Sequence, residues 1–207
     1  MIHLASSMRM RRRNARVPLS LSHSLTPMAD IVLRTALPAD ALCLGALGMQ
    51  VFLDTYATEG IRPGLAREAL DHFSKEAMAA ALDAPGAEFV VAERAGHLVA
   101  FAELAHGATH ALVDARPACE LARLYVQSPF AGCGLGRRLL GESEARAAAR
   151  GARMLWLTAW VGNTRALGFY ARCGYADVGL THYEFDGRAF ENRAFAKSLA
   201  RVAGAEP

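Results

Sequence analysis

Gly132, Gly134 and Gly136 alternate along the chain between an apolar run ending Leu124-Tyr125-Val126 and Arg137-Arg-Leu-Leu140, where a helical pattern begins. With no side chains, the backbone there can turn sharply and let a ligand come close. A helix that starts in such a turn points its unpaired N–H groups and the positive end of its dipole outward, which suits a phosphate. Glu120 stands at the other end of the same run. On an ideal strand it shares a face with Ala122, Leu124 and Val126, so its carboxylate is expected among apolar neighbours. Partial desolvation would raise its pKa toward the range of a general base. Pairing with Arg123 or an exposed lysine is the other use for that charge.

Spacing separates two familiar phosphate loops from this one. A Walker loop requires GxxxxGK[ST], but Arg137-Arg138 stand where its Gly-Lys should be. A GxGxxG dinucleotide fingerprint would place its third glycine at 137, and it belongs in a first βα turn rather than past mid-chain.

The elements around the loop follow from periodicity and punctuation. Ile31–Thr35 reads as a strand, and Pro38-Ala-Asp40 as the start of a helix to about Tyr56. Leu42, Leu44, Leu47, Val51 and Phe52 form its expected apolar stripe. Short helices are expected at 65–73 and 75–83, then a hairpin of 89–93 and 98–104, then a loop over 107–117. The run with Glu120, a helix to about Arg150 and a strand at 154–160 make a parallel β-α-β unit. Asn163 is a natural N-cap for the last helix and Gly174 a natural terminator. Asp186-Gly187 signals a closing hairpin. The predicted class is α/β: a single mixed, mostly antiparallel sheet with a central parallel β-α-β-α unit flanked by helices.

The formal charge of +3 over 207 residues divides unevenly. Residues 1–28 hold five arginines and no acid, so removing them from +3 leaves −2 for the rest. That stretch is expected to be a disordered basic extension, with the folded catalytic domain over 29–201 and a flexible tail over 202–207. Its composition fits a transit peptide or a nucleic-acid arm, and most simply an upstream start with Met28 opening the folded domain. No nucleic acid is expected on the domain itself. No apolar run approaches the roughly 18–20 residues of a membrane span. Cys43, Cys119, Cys133 and Cys173 form no CxxC pair and read as thiols of a reducing, cytoplasmic compartment. His106, His110 and Asp114 fall in a turn-rich loop, and no metal is expected there.

The stretch Ala131-Gly132-Cys-Gly134-Leu-Gly136 resembles the [RQ]xxGx[GA] pyrophosphate loop of the GNAT superfamily of N-acetyltransferases, with Ala131 where Arg or Gln is usual. Asn163-Thr-Arg-Ala166-Leu-Gly-Phe169-Tyr170-Ala-Arg-Cys-Gly174-Tyr175 is similar to that superfamily's closing NxxAxxFYxxxGF helix. The resemblance spans about residues 30–199 in matching element order. It implies the GNAT acyl-CoA N-acyltransferase fold and an acyltransferase that uses acetyl-CoA as co-substrate. It also implies residue roles. Gly132, Cys133, Gly134, Leu135, Gly136 and Arg137 would hold the diphosphate. Leu124, Tyr125, Val126 and Asn163 would hold the pantetheine and the thioester. Glu120, six residues before Val126, would be the base, and Tyr170 the acid for the leaving thiolate. Taken alone, Ala166, Phe169, Tyr170 and Cys173 form a helical stripe, so Tyr170 also reads as core, and Asn163 also reads as a cap.

Phe52-Leu-Asp54-Thr-Tyr56 and Thr181-His182-Tyr183-Glu-Phe185 most resemble bacterial spermine/spermidine N-acetyltransferases. Asp54, Tyr56 and His182 are the substrate-binding candidates. Asp54, Glu59 and Glu103 would line a negative pocket for a small cationic, polyamine-like amine. Solvated surface acids are the alternative. Antibiotic, lysine and protein N-terminal acceptors also fit the superfamily, as does a non-catalytic acetyl-CoA-binding module. Exposed β edges at the final hairpin suit a homodimer.

Overall fold

The computed structural model describes residues 30–185 and 187–200; the basic extension, the C-terminal tail and Asp186 lie outside the described residues. Its strands are β1 (Ile31–Thr35), β2 (Ala87–Arg94), β3 (His97–His106), β4 (Ala118–Val126), β5 (Met154–Trp160), β6 (Ala176–Phe185) and β7 (Arg188–Ser198). Its helices are α1 (Ala41–Tyr56), α2 (Pro63–Phe73), α3 (Lys75–Leu82), α4 (Leu135–Ala149) and α5 (Thr164–Arg172). The strands form one sheet in the order β1-β2-β3-β4-β5-β7-β6. Among the named pairs only β4–β5 is parallel, as a strand–helix–strand crossover requires.

Alternation along the central strands feeds two cores. Phe89, Val91 and Phe101 pack with Leu44, Leu47, Phe73 and Met78 of α1–α3. Val90, Ala100, Ala102 and Leu104 face the other way, toward Leu135, Leu139 and Leu140 of α4 and Tyr170 of α5. Glu88 accepts from Arg146 at 3.0 Å and lies 3.0 Å from His106 Nε2, tying α4 to the β2–β3 hairpin. Arg146 also donates to Glu142 at 2.8 Å, the i,i+4 pair its spacing predicts. No helix of the described residues is long and apolar enough to cross a membrane.

The buried face of α1 differs from its expected stripe. Leu42 is exposed, and the buried positions are Ala41, Leu44, Gly45, Leu47 and Gly48. The helix turns its smallest residues toward the end of α2 because nothing larger fits. A Cβ on Gly45 would lie 2.4 Å from the Phe73 carbonyl oxygen, and one on Gly48 would lie 2.4 Å from the Phe73 ring. Gly45→Ala should therefore destabilise the fold by about 1–3 kcal/mol through overpacking. In an open helix the same change would stabilise by roughly 1 kcal/mol. Urea unfolding reads the sign, and a more stable variant would contradict this close approach.

Two features of β4 shape the site. Glu103 pairs with Arg123 and Leu104 with Leu121, so Ala122 is an extra residue bulged from the ladder. In addition, β4 pairs with β5 only from Ala118 to Glu120, opposite Met154–Trp156. Beyond that point β4 stays with β3, β5 stays with β7, and a crevice opens between them.

Candidate active site

The crevice between β4 and β5 leads into a cleft of about 830 Å³. Leu124, Tyr125 and Val126 form one wall, Gly132, Gly134, Gly136 and Arg137 another, and Asn163, Phe169 and Tyr170 a third. Gln127 N–H donates to Val99 O, which fixes the phase of the β3–β4 ladder. Antiparallel alternation then turns the N–H and C=O groups of Leu124 and Val126 away from β3 and into the gap. Gly132 has φ 79° and Gly134 φ 93°, a left-handed region that favours glycine. A Cβ on either would meet nothing within 4 Å, so both backbones border open space. Gly134 is the N-cap of α4 and no side chain caps that end, leaving the first N–H groups directed outward.

This cleft fits a diphosphate by charge as well. Arg137, Arg165 and Arg172 line it against the single carboxylate of Asp54. Arg165 and Arg172 escaped the sequence reading, because nothing in their local spacing shows that α5 borders the glycine loop. Arg138, beside Arg137, instead donates to the Ile31 carbonyl at 2.8 Å. Two loop residues are turned inward rather than lining the cleft. Leu135 is fully buried in the core, and Cys133 Sγ donates to the Phe130 carbonyl at 2.9 Å. Asn163 caps α5 by accepting from Ala166 N–H at 3.1 Å while still lining the cleft.

A second cleft, of about 490 Å³, lies on the α1–α2 side of the sheet. Phe52, Phe73, Tyr183 and Phe190 give it aromatic walls. Tyr56, Thr58, Tyr125 and Trp160 line both clefts and mark where they meet. Its charged lining is Glu59, Glu68, Arg62, Arg123 and Arg188, together with His72. Tyr183 donates to Glu68 at 2.6 Å, a contact between the final hairpin and α2. Burial and then that bond push the Tyr183 hydroxyl up to about 12.

The substrate-binding candidates part company here. Tyr56 sits at the junction, but Asp54 lines the glycine-loop cleft instead of the aromatic one. His182 is exposed opposite Glu191 and lines neither cleft, because strand alternation gives the cleft to its neighbour Tyr183. Glu103 is bound to Arg123 instead of lining a negative pocket. His106 bonds Glu88, whereas His110 accepts from Leu112 N–H and packs on Trp156, so the two histidines are engaged separately. Among the described residues no cluster of three or more potential metal ligands occurs.

Glu120 is half-buried, and the bulge changes its company. It pairs with Ala105, which shares a face with Glu103 and Phe101, the partners of Arg123 and Tyr125. Glu120 therefore faces the same side as Arg123 and Tyr125, while Leu124 and Val126 pack with α4. The expected shared face with Leu124 and Val126 is thus corrected by one inserted residue. Glu120 borders neither cleft directly; Ala122 and Arg123 line the aromatic one at that level. Burial, then the like charge of Glu103, raises the Glu120 pKa, and Arg123 works against them. Tyr170 is buried against Phe169, Tyr175 and Phe195. Burial, then the nearby phenols of Tyr56 and Tyr125, holds its hydroxyl well above the usual phenol range, so it is protonated at neutral pH.

The family model for the acetyltransferase (GNAT) family matches residues 55–175. Among solved structures, a GCN5-related N-acetyltransferase from Rhodopseudomonas palustris is 26% identical with a TM-score of 0.63, covering 84% of this chain and 99% of that one. The PaiA N-acetyltransferase of Thermoplasma acidophilum, solved in complex with coenzyme A, is 22% identical with a TM-score of 0.60, covering 81% and 98%. YncA from Salmonella typhimurium, solved with its cofactor acetyl-CoA, is 19% identical with a TM-score of 0.59, covering 86% and 98%. These last two bear on the fold alone. With the matched span exceeding half its length, the chain belongs to the acetyltransferase (GNAT) family and is an acyltransferase.

Proposed function

We propose that this protein transfers the acetyl group of acetyl-CoA to a primary amine by direct attack, with both substrates bound at once. The observation that carries the reading is the meeting of two chemically different clefts at Tyr56, Thr58, Tyr125 and Trp160. The cationic, glycine-walled cleft takes the diphosphate and pantetheine, and the aromatic cleft takes the amine. Acetyl-CoA supplies an acetyl group activated as a thioester, and the protein's residues do the rest.

An alkyl amine near neutral pH is mostly ammonium, since its pKa is around 10. Glu120 accepts the proton, through water because it stands just behind the cleft wall. The Leu124 and Val126 N–H groups, left without a neighbouring strand, hydrogen-bond the carbonyl oxygen as charge develops on it. Tyr170, held protonated, delivers a proton to the departing thiolate.

Initial rates with both substrates varied test the order of events. Intersecting double-reciprocal lines are expected. Parallel lines, or an acetylated enzyme after incubation with acetyl-CoA alone, would contradict direct attack. Tyr170→Phe should lower kcat by on the order of 10²-fold while leaving the melting temperature close to that of the parent. An undiminished rate would make Tyr170 purely structural.

The pH dependence gives a further check on Glu120. As the base it must be ionised, so kcat rises with pH through its pKa. Glu103→Gln removes a like charge and frees Arg123, both of which lower that pKa. The rising limb of kcat should therefore move to lower pH in Glu103→Gln. A limb that stays in place or moves up would exclude Glu120 as the titrating group.

A further inference from the structure

The charge of the aromatic cleft narrows the acceptor. Three arginines, Arg62, Arg123 and Arg188, line it against two carboxylates, Glu59 and Glu68. Glu68 is already engaged, accepting from the Tyr183 hydroxyl at 2.6 Å and lying 3.1 Å from His72 Nε2. Arg123 is itself paired with Glu103, so the lining carries no net negative charge to draw a polycation in.

Arg123 is the informative residue. The bulge at Ala122 places it on the cleft side of β4, in the same facing row as Glu120 and Tyr125. Its guanidinium lies over the Phe73 ring at 5.3 Å and bonds Glu103 through Nη1. A guanidinium carries five N–H donors in a planar fork, so one bond to Glu103 leaves an edge able to receive a second carboxylate. Around it, Phe52, Tyr56, Tyr125, Trp160 and Phe190 offer rings to an apolar group.

Resting on the reading of this cleft as the acceptor site, we infer that the acceptor is a small amino acid-type amine: one bearing a carboxylate, read by Arg123, and an apolar side chain, packed among the rings. In an α-amino acid the amine and carboxylate are borne on one carbon. An amine at the junction and a carboxylate on Arg123, two residues along β4 from Tyr125, are therefore compatible with one small molecule. The volume of about 490 Å³ suits such a molecule.

The test uses the full chain with acetyl-CoA and matched acceptors: phenylalanine, leucine and methionine, the primary amide of each, and spermidine. Each amide keeps the skeleton and loses the carboxylate charge, and its amine is the more easily deprotonated, which works in the amide's favour. The amino acids should exceed their amides in kcat/KM by on the order of 10²-fold, with spermidine the weakest. In Arg123→Gln combined with Glu103→Gln, which avoids leaving a lone buried carboxylate, the acid-to-amide ratio should fall at least tenfold, chiefly through KM. A merely structural role for Arg123 would lower both rates and leave that ratio unchanged, overturning the inference. Should the double variant fail to fold, the acid-to-amide ratio of the natural protein still decides. Amides or spermidine used as well as the amino acids would overturn this inference while leaving the acetyltransferase reading intact. Acetylation of none of these amines would overturn it too, and calorimetric titration with acetyl-CoA then shows whether the donor cleft fails with it.

Discussion

Glu120→Gln is expected to lower kcat by on the order of 10²–10⁴, the usual contribution of a positioned general base, with little change in acetyl-CoA affinity. The substitution keeps size and hydrogen-bonding shape but cannot accept the ammonium proton. Glu120 lies outside the glycine-walled cleft, so donor binding has no reason to change. A second readout separates catalysis from folding. Burial and Glu103 raise this carboxyl's pKa in the folded state, so its contribution to stability is fully present below the unfolded pKa and is lost as pH rises through the folded one. Above the folded-state pKa the ionised carboxylate is a burden that glutamine removes. The variant should therefore melt no lower than its parent while turning over far more slowly. Unchanged turnover across pH 6–9 would remove Glu120 from the mechanism.

Gly134→Asp is expected to raise the dissociation constant for acetyl-CoA by on the order of 10²-fold or more, through charge placed at the helix N-terminus proposed to bind the diphosphate. The position is well suited to the test. Its φ of 93° is left-handed, which aspartate and asparagine tolerate better than most residues. An added Cβ meets nothing within 4 Å, and the strain of the left-handed backbone is common to the aspartate and its neutral asparagine control. Gly134→Asn, of the same size but neutral, should weaken binding distinctly less. Calorimetry with acetyl-CoA reads both variants. Equal losses would mean that bulk, not charge, decides there, and no loss in either would place the diphosphate elsewhere.

Much of this architecture is legible in the sequence because it depends on local signals. Gly151 and Gly174, both with positive φ, end α4 and α5 where the glycines fall, and Asn163 caps α5. The β5 bounds coincide with the apolar run 154–160. What stayed hidden depends on contacts distant in sequence. The Ala122 bulge exists only in register with β3, and it puts Glu120 on the face opposite to Leu124 and Val126. Leu42 satisfies a helical stripe by spacing, yet the close approach of Phe73 rotates α1 so that glycines are buried instead.

The candidate site divides in the same way. The glycine loop, Asn163 and Tyr170 carry spacing that identifies them, and they converge on one cleft. Arg123, Glu68, His72 and Arg188 come from three separate elements, and only the fold gathers them into the aromatic cleft. Of the acids expected to form a negative pocket, Glu59 lines this cleft, whereas Asp54 lies in the other and Glu103 in an ion pair. The acceptor therefore reads differently once the lining is known.

Acetyl transfer would take place across the junction of the two clefts. It is tested most directly by mass spectrometry of the full chain incubated with acetyl-CoA and a panel of primary amines, following free CoA and acetylated amine together. The predicted result is amine-dependent formation of CoA and N-acetylated product in equal amounts, falling with both Glu120→Gln and Gly134→Asp. Tight acetyl-CoA binding with no amine-dependent product from any member of the panel would contradict it.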